Sequence, residues 1–218
     1  MRAFFVAGTG TDLGKTHIGC ALLEAARKRG LSVDAFKPVV SGFDPDAPDS
    51  SDPARLAVAL GRPNAWADVS PRRYRAPLAP NLAARLEGDV LRIHDLIGDC
   101  RTWLDARDAD LVLVEGAGGV MSPMTDDATN LDLMVALGLP VLLVAGSYLG
   151  TASHLLTALE VLRARGLAVA ALVISESLDA PDLNQTVEMI RVFERQAPIL
   201  VAPRPAWDAG ELADVLLR

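Results

Sequence analysis

The chain has 218 residues, half of them hydrophobic, with 21 Lys and Arg against 28 Asp and Glu and a formal net charge of −7. That length and apolar content suit one α/β domain, 1–218, built around a sizeable core. With no basic run longer than Arg27-Lys28-Arg29, the charge balance argues against nucleic acid and anionic membrane surfaces as main partners, because both need concentrated positive charge.

Residues 1–7 are apolar over too short a span for an export signal. No later stretch reaches the roughly 18 uninterrupted apolar residues of a membrane helix. The two cysteines, Cys20 and Cys100, have no paired spacing, and no Cys or His clusters near His17, His94 or His154, so buried thiols in a reducing cytoplasm are expected.

In chain order, the first predicted strand is 3–7, followed by the glycine-rich GTGTDLGKT and a helix over 15–29. A second strand, 32–36, ends at Lys37-Pro38, and proline keeps the chain extended there. An acidic, proline-rich segment, 44–53, comes next, and then 70–81 with prolines at 71, 77 and 80. A helix over 90–106 leads to a strand at 111–114 and a glycine-rich loop, 115–130. The remainder alternates: strand 140–145, helix 151–165, strand 168–174, helix 182–196 and strand 199–201. The tail 211–218 is short and acidic. Short β-branched runs alternating with helical periodicity predict a parallel sheet covered on both faces. In such sheets ligands bind beyond the C-terminal strand ends, so the three irregular segments are expected to be active-site loops.

The spacing of GTGTDLGKT is one residue off the usual phosphate-loop pattern of glycine, four residues, Gly-Lys-Ser/Thr: five residues, not four, separate Gly8 from Gly14, and Thr9 stands where the first glycine is usual. Its setting between a strand and a helix nevertheless points loop amides and the positive helix end at an anion. Lys15 would neutralise outer phosphate oxygens and the Thr16 hydroxyl would reach Mg²⁺. Lys37, on the same sheet edge, would add a second cation, although a solvated strand-end lysine fits the residue alone. Glu115, closing the strand 111–114, is placed to hold Mg²⁺ or simply to begin the turn Gly116-Ala117-Gly118-Gly119. Thr151 can be a plain helix cap or part of an anion seat. No His or Cys general base is evident.

Taken together, GTGTDLGKT, Phe36-Lys37-Pro38-Val39-Val40-Ser41-Gly42, Ser51-Asp52, Glu115-Gly116-Ala117-Gly118-Gly119 followed by Pro123, and Leu149-Gly150-Thr151 resemble the dethiobiotin synthetases. The likeness runs in order from residue 3 to about 165 and includes the five-residue spacing of the glycine loop. The resemblance implies a P-loop NTPase-like fold, a single domain with a parallel sheet in three layers. It also implies ATP- and Mg²⁺-dependent conversion of 7,8-diaminopelargonate and carbon dioxide, drawn from bicarbonate, to dethiobiotin by a homodimer. A carbamate would attack the γ-phosphate of ATP, and the second amine would then close the ring and expel phosphate.

By that resemblance Lys15, Lys37 and Thr11 are catalytic. ATP would meet Thr9, Thr11, Asp12, Leu13, Gly14, Lys15, Thr16, Glu115, Ser175 and Pro203. The diamine would meet Lys37, Ser41, Gly118, Leu149, Gly150 and Thr151, the last three reaching into the partner's site. Mg²⁺ would sit on Thr16, Asp52 and Glu115. Two positions depart from the family: Ser175-Glu176 replaces an asparagine that reads the adenine edge, and Ala79-Pro80-Asn81 replaces Ser-Pro-His. A partition or division-site ATPase shares the sheet, but such proteins carry an additional lysine within the loop and residues 3–14 have none. The tail is also too short and acidic for a basic membrane-binding helix.

Overall fold

A computed structural model describes residues 1–178 and 180–217. The elements run β1 (Arg2–Gly8), α1 (Lys15–Lys28), β2 (Val33–Phe36), β3 (Val39–Ser41), α2 (Asp52–Ala59), α3 (Trp66–Val69), β4 (Arg72–Tyr74), α4 (Pro80–Leu86), α5 (Ile93–Asp105), β5 (Leu111–Glu115), α6 (Asn130–Leu137), β6 (Val141–Gly146), α7 (Thr151–Ala164), β7 (Val169–Ser175), α8 (Leu183–Phe193), β8 (Ile199–Ala202) and α9 (Gly210–Leu217).

Side chains of a strand point alternately to opposite faces, so a run such as Phe4-Phe5-Val6-Ala7 can be stable only where both faces are dry. Phe5 and Ala7 join a core with Leu96 and Trp103 of α5, Leu131 of α6 and Leu155 and Leu159 of α7. Phe4 and Val6 face the opposite core, with Ile18 and Leu22 of α1, Leu56 of α2 and Leu212 of α9. Each such fully buried leucine contributes roughly 1.5–3 kcal/mol relative to exposure. The three layers are therefore helices, sheet and helices.

The main sheet has the order β2-β5-β1-β6-β7-β8, and every pair in it is parallel. All six strands expected from the sequence are its members, each within about a residue of the expected ends. Parallel pairing places every C-terminal strand end on one edge. Gly8, Lys37, Glu115, Gly146, Ser175 and Pro203 thus share that edge, with β1 central between two strands that come later in the chain.

Five helices and a small second sheet were not expected from the sequence. Strands β3 and β4 are three residues each and pair in parallel, Ser41 opposite Tyr74, so 70–81 is a strand, a turn and the start of α4 rather than one loop. Helices α2, α3, α4, α6 and α9 are short. Helix α5 begins at Ile93, not at Val90, and α8 ends at Phe193, before Gln196. Arg218, the last residue of the acidic tail, lies outside the described residues. Among the described residues no helix is long and apolar enough to cross a membrane.

Candidate active site

The glycine loop begins where β1 leaves the sheet. Thr9 N–H still donates to Val144 O at 3.0 Å, and Gly14 caps α1 at φ 91°, a left-handed backbone that suits glycine. A Cβ on Gly14 would stand 3.0 Å from Ser175 Oγ, which brings the end of β7 against the loop. Asp12 is the sole described non-glycine residue with positive φ, at 57°. Among these turns the first amides of α1 are left facing a cleft of about 520 Å³.

That cleft is lined by Thr11, Asp12, Gly14, Lys15, Thr16, Lys37, Ser41, Asp52, Gly118, Ser175 and Pro203 among others. The structure thus assembles most of the residues singled out from the sequence around one space. Glu115 lies behind that lining, joined to it through Thr16 and Lys37. Leu13 packs over Gly10, whose added Cβ would meet Leu13 Cδ1 at 3.4 Å, and does not line the cleft. Thr9 faces a separate hollow of about 490 Å³ between residues 119–123 and α7.

The charged wall of the cleft is tightly wired. Lys37 is buried, and its Nζ donates to Asp52 Oδ2 at 2.9 Å and to Glu115 Oε1. The Thr16 hydroxyl donates to the same Glu115 oxygen at 2.7 Å. Glu115 Oε2 is buried and has no hydrogen-bond partner. Burial alone would lower the Lys37 ammonium, but the Glu115 and Asp52 carboxylates against it outweigh burial and hold it above its ordinary value. Burial would likewise raise Asp52, yet Lys37 and Thr16 keep it below the usual carboxylate range. Lys15 is also buried, donates to Gly10 O at 2.9 Å, and is lowered first by that burial, with Glu115 pulling the other way and Lys37 adding to the lowering. Lys37 is therefore a fixed cation, not a base.

The glycine turn after β5 is set against the phosphate loop. A Cβ on Gly119 would stand 3.1 Å from Thr9 O and 3.3 Å from Gly10, so the two backbones meet directly. Gly118 has φ 69°, and its added Cβ would lie 3.8 Å from Thr11 Oγ1. Asn130, which sequence reasoning missed, braces this turn: it is fully buried, donates through Nδ2 to Gly119 O at 3.2 Å, and its N–H donates to Ser122 O at 2.9 Å. The Thr129–Asp132 capping box that starts α6 was the available sequence signal. Also missed were Arg55 and Arg204, which make a basic rim to the cleft in an otherwise acidic chain, and His17 beside them, whose imidazolium is disfavoured by burial and by the two arginines. Arg55 sits one turn after Asp52 on α2 and becomes visible once Ser51-Asp52-Pro53 is read as a helix start.

The third group of predicted residues is placed differently. Among the described residues, Leu149, Gly150 and Thr151 do not line the cleft of their own chain. Gly150, at φ 97°, is the cap of α7 and has no side-chain cap bond. Thr151 is not a side-chain cap: its hydroxyl donates to Gly146 O at 2.7 Å and its N–H to Tyr148 O at 3.1 Å. The first-turn amides beyond it are the donors that helix geometry leaves over. Ser175 is nearly buried at the loop, Glu176 is engaged with the Arg204 N–H at 2.6 Å, and Asn81 donates to Asp126 at 3.0 Å. Cys20 and Cys100 are free thiols, both pushed up to about 12 by burial.

As a metal site the cleft matches a hard cation that keeps some ligands for phosphate. Among the described residues no group of three or more His, Cys, Asp or Glu forms a ready cage. Two carboxylates, a hydroxyl and one orphaned carboxylate oxygen suit Mg²⁺, which is commonly held by one or two carboxylates together with substrate phosphates.

Residues 2–202 match the family described as an AAA domain. A Caulobacter vibrioides (strain NA1000) protein named ATP-dependent dethiobiotin synthetase BioD is 79% identical over 218 residues, covering all of both chains. A protein of the same name from Caulobacter sp. strain K31 is 62% identical, over all of this chain and 95% of its own. In the structural comparison, the MinC:MinD cell division protein complex of Aquifex aeolicus aligns with a TM-score of 0.56 at 12% identity, over 100% of this chain and 86% of that one. That last likeness is one of fold alone.

Proposed function

This chain belongs to the ATP-dependent dethiobiotin synthetase family, and we propose that it closes the ureido ring of dethiobiotin from 7,8-diaminopelargonate and carbon dioxide, driven by ATP with Mg²⁺. The observation that carries this reading is the Lys37–Glu115–Asp52 cluster, bonded to Thr16 and set with Lys15 at a cleft of about 520 Å³. A division-type ATPase is not favoured, for residues 3–14 hold no additional lysine.

One diamine nitrogen adds to carbon dioxide to form a carbamate, losing a proton. A carbamate oxygen then attacks the γ-phosphorus and ADP leaves, giving a carbamic-phosphoric anhydride. The second amine attacks the carbonyl carbon and loses a proton, the ring closes and phosphate departs with the bridging oxygen. Such transfers need positioning and neutralisation of charge more than covalent help. Lys15 and the α1 amides would hold the phosphates, and Thr11, opposite Gly118, would lie beside the transferred group. Lys37, held protonated by its carboxylates, would neutralise the carbamate as a fixed charge, with Ser41 beside it. Thr16, Asp52 and Glu115 would hold Mg²⁺, which supplies charge neutralisation at the phosphates when bound. Ser175, Pro203 and Arg204 would border the nucleoside.

The Leu149–Thr151 turn is the seat for the diamine carboxylate in the site of a second copy. Two features support a homodimer with composite sites: the turn is absent from its own cleft, and Leu149 is 90% exposed. Free thiols at Cys20 and Cys100 suit the cytoplasm.

The test is incubation with 7,8-diaminopelargonate, bicarbonate, ATP and Mg²⁺, with mass detection of dethiobiotin. Dethiobiotin and ADP should form in equal amounts. ATP consumption indifferent to the diamine would refute the reading.

A further inference from the structure

The hydrogen-bonded ladder between β6 and β7 ends with Gly146 opposite Ser175. Past that pair the chains part, yet two more bonds join them. Ser147 N–H donates to Ser177 Oγ at 3.1 Å, and Ser177 N–H donates to Ser147 Oγ at 3.0 Å. Each hydroxyl oxygen stands where a ladder carbonyl would otherwise accept.

Gly146 lies directly beneath this pair. A Cβ there would fall 2.6 Å from Ser177 Oγ and 2.8 Å from the Tyr148 ring, so only glycine lets the two serines close. The same glycine's carbonyl accepts from the Thr151 hydroxyl at 2.7 Å, and Tyr148 Oη meets His154 Nδ1 at 2.7 Å. Ser147 is fully buried while Leu149 is 90% exposed. The turn thus has a fixed root and an open tip, and its root is tied to the segment that carries Ser175 and Glu176 along the nucleotide cleft.

We infer that Ser147 and Ser177 are positioning residues, a two-bond latch that holds the 147–151 turn against the nucleotide end of β7 and thereby sets diamine affinity. The inference rests on the reading of Leu149–Thr151 as the diamine carboxylate's seat. Without Ser177 Oγ the Ser147 N–H, on a fully buried residue, loses its acceptor, and an unmet buried donor drives the backbone to another arrangement. Small displacements of a seat are costly to a positioned reactant.

The experiment is steady-state kinetics of the full enzyme carrying Ser147→Ala, Ser177→Ala or both, varying diaminopelargonate and ATP separately. Each single change should raise the diamine KM about tenfold while kcat and the ATP KM stay within about twofold. The double variant should be no worse than the more severe single one, because the two bonds act as one unit. Ser177→Thr, which keeps the oxygen, should restore the diamine KM. Should Ser147→Ala fail to fold, Ser177→Ala at its half-buried position carries the test. An unchanged diamine KM, or equal rises for diamine and ATP with a fall in melting temperature, overturns the latch. Gly150→Trp separates the two readings. If it alone raises the diamine KM, the seat stands and the latch falls. If none of the variants does, the seat is wrong and the latch goes with it.

Discussion

The two ends of the active-site edge are built by opposite means. At the β1–β2–β5 end, function rests on buried charge: Lys15, Lys37 and Glu115 are each at most 7% exposed, Lys37 is wired to Asp52 and Glu115, and Glu115 to Thr16. At the β6–β7–β8 end the contacts come from backbone, serine hydroxyls and a turn whose tip is open to solvent. Buried charges cannot relax when one partner is removed, since the remaining ion stays desolvated and unpaired. Neutral hydrogen bonds can be partly replaced by water or by small shifts. Rate should therefore be concentrated at the first end, and affinity and selectivity at the second.

The largest expected effect breaks the charged end. Lys15→Ala and Lys37→Ala should each reduce turnover a hundredfold or more, about 3 kcal/mol of transition-state stabilisation, in steady-state kinetics. Normal turnover by Lys37→Ala would remove it from the chemistry and collapse the contrast.

Mixing chains tests whether the two ends meet across a two-fold axis. A Lys37→Ala chain and a Gly150→Trp chain, each strongly impaired alone at low diamine, should recover activity after subunit exchange, because one site of each mixed dimer receives both lesions and the other none. About half the sites of mixed dimers should work. No recovery by folded, exchanged partners would mean that each site comes from a single chain.

A smaller effect is expected where the two ends touch. Gly14→Ala would place a Cβ 3.0 Å from Ser175 Oγ at a left-handed φ of 91°. A stability loss of roughly 1–2 kcal/mol should appear in thermal melts, with a raised ATP KM. An unchanged melting temperature would show that the loop tolerates ordinary backbone there.

The smallest effect concerns the β6–β7–β8 end. With Ser175 in place of an asparagine's paired donor and acceptor, and Glu176 engaged by Arg204, discrimination of ATP from CTP or GTP should be weak, within about tenfold in kcat/KM. Backbone groups near Pro203 are the possible substitute contacts. A preference of a thousandfold for ATP would show that they suffice.

The same division explains what the sequence disclosed. The six main strands are legible because runs such as Leu111-Val112-Leu113-Val114 are apolar at every position, a pattern that only a doubly covered strand tolerates. Lys15, Thr16, Lys37, Asp52 and Glu115 sit at strand ends or helix starts, so their convergence follows from parallel pairing. Strands β3 and β4 are too short and too polar, as in Arg72-Arg73-Tyr74, to announce themselves. Helix α2 was hidden by the acidic prolines before it, although Ser51 as cap and Pro53 in the first turn are a start signal. The Thr129–Asp132 capping box marks where Asn130 begins a helix, but neither Asn130's bond to Gly119 nor the Ser147–Ser177 pair can be read locally, since the partners are 11 and 30 residues away. Thr151 looked like a cap because threonine often is one, whereas the turn's geometry turns its hydroxyl back to Gly146.

The central claim, that the charged wall serves phosphoryl transfer to a carbamate, is tested most directly by following oxygen. The enzyme is given diaminopelargonate, ATP, Mg²⁺ and oxygen-18-labelled carbon dioxide, with rapid quenching before the label exchanges with water, and the released phosphate is weighed by mass spectrometry. Attack by a carbamate oxygen predicts one labelled oxygen in each phosphate, formed in step with dethiobiotin. Unlabelled phosphate would mean that water is the acceptor and that the Lys15–Lys37 wall performs hydrolysis instead.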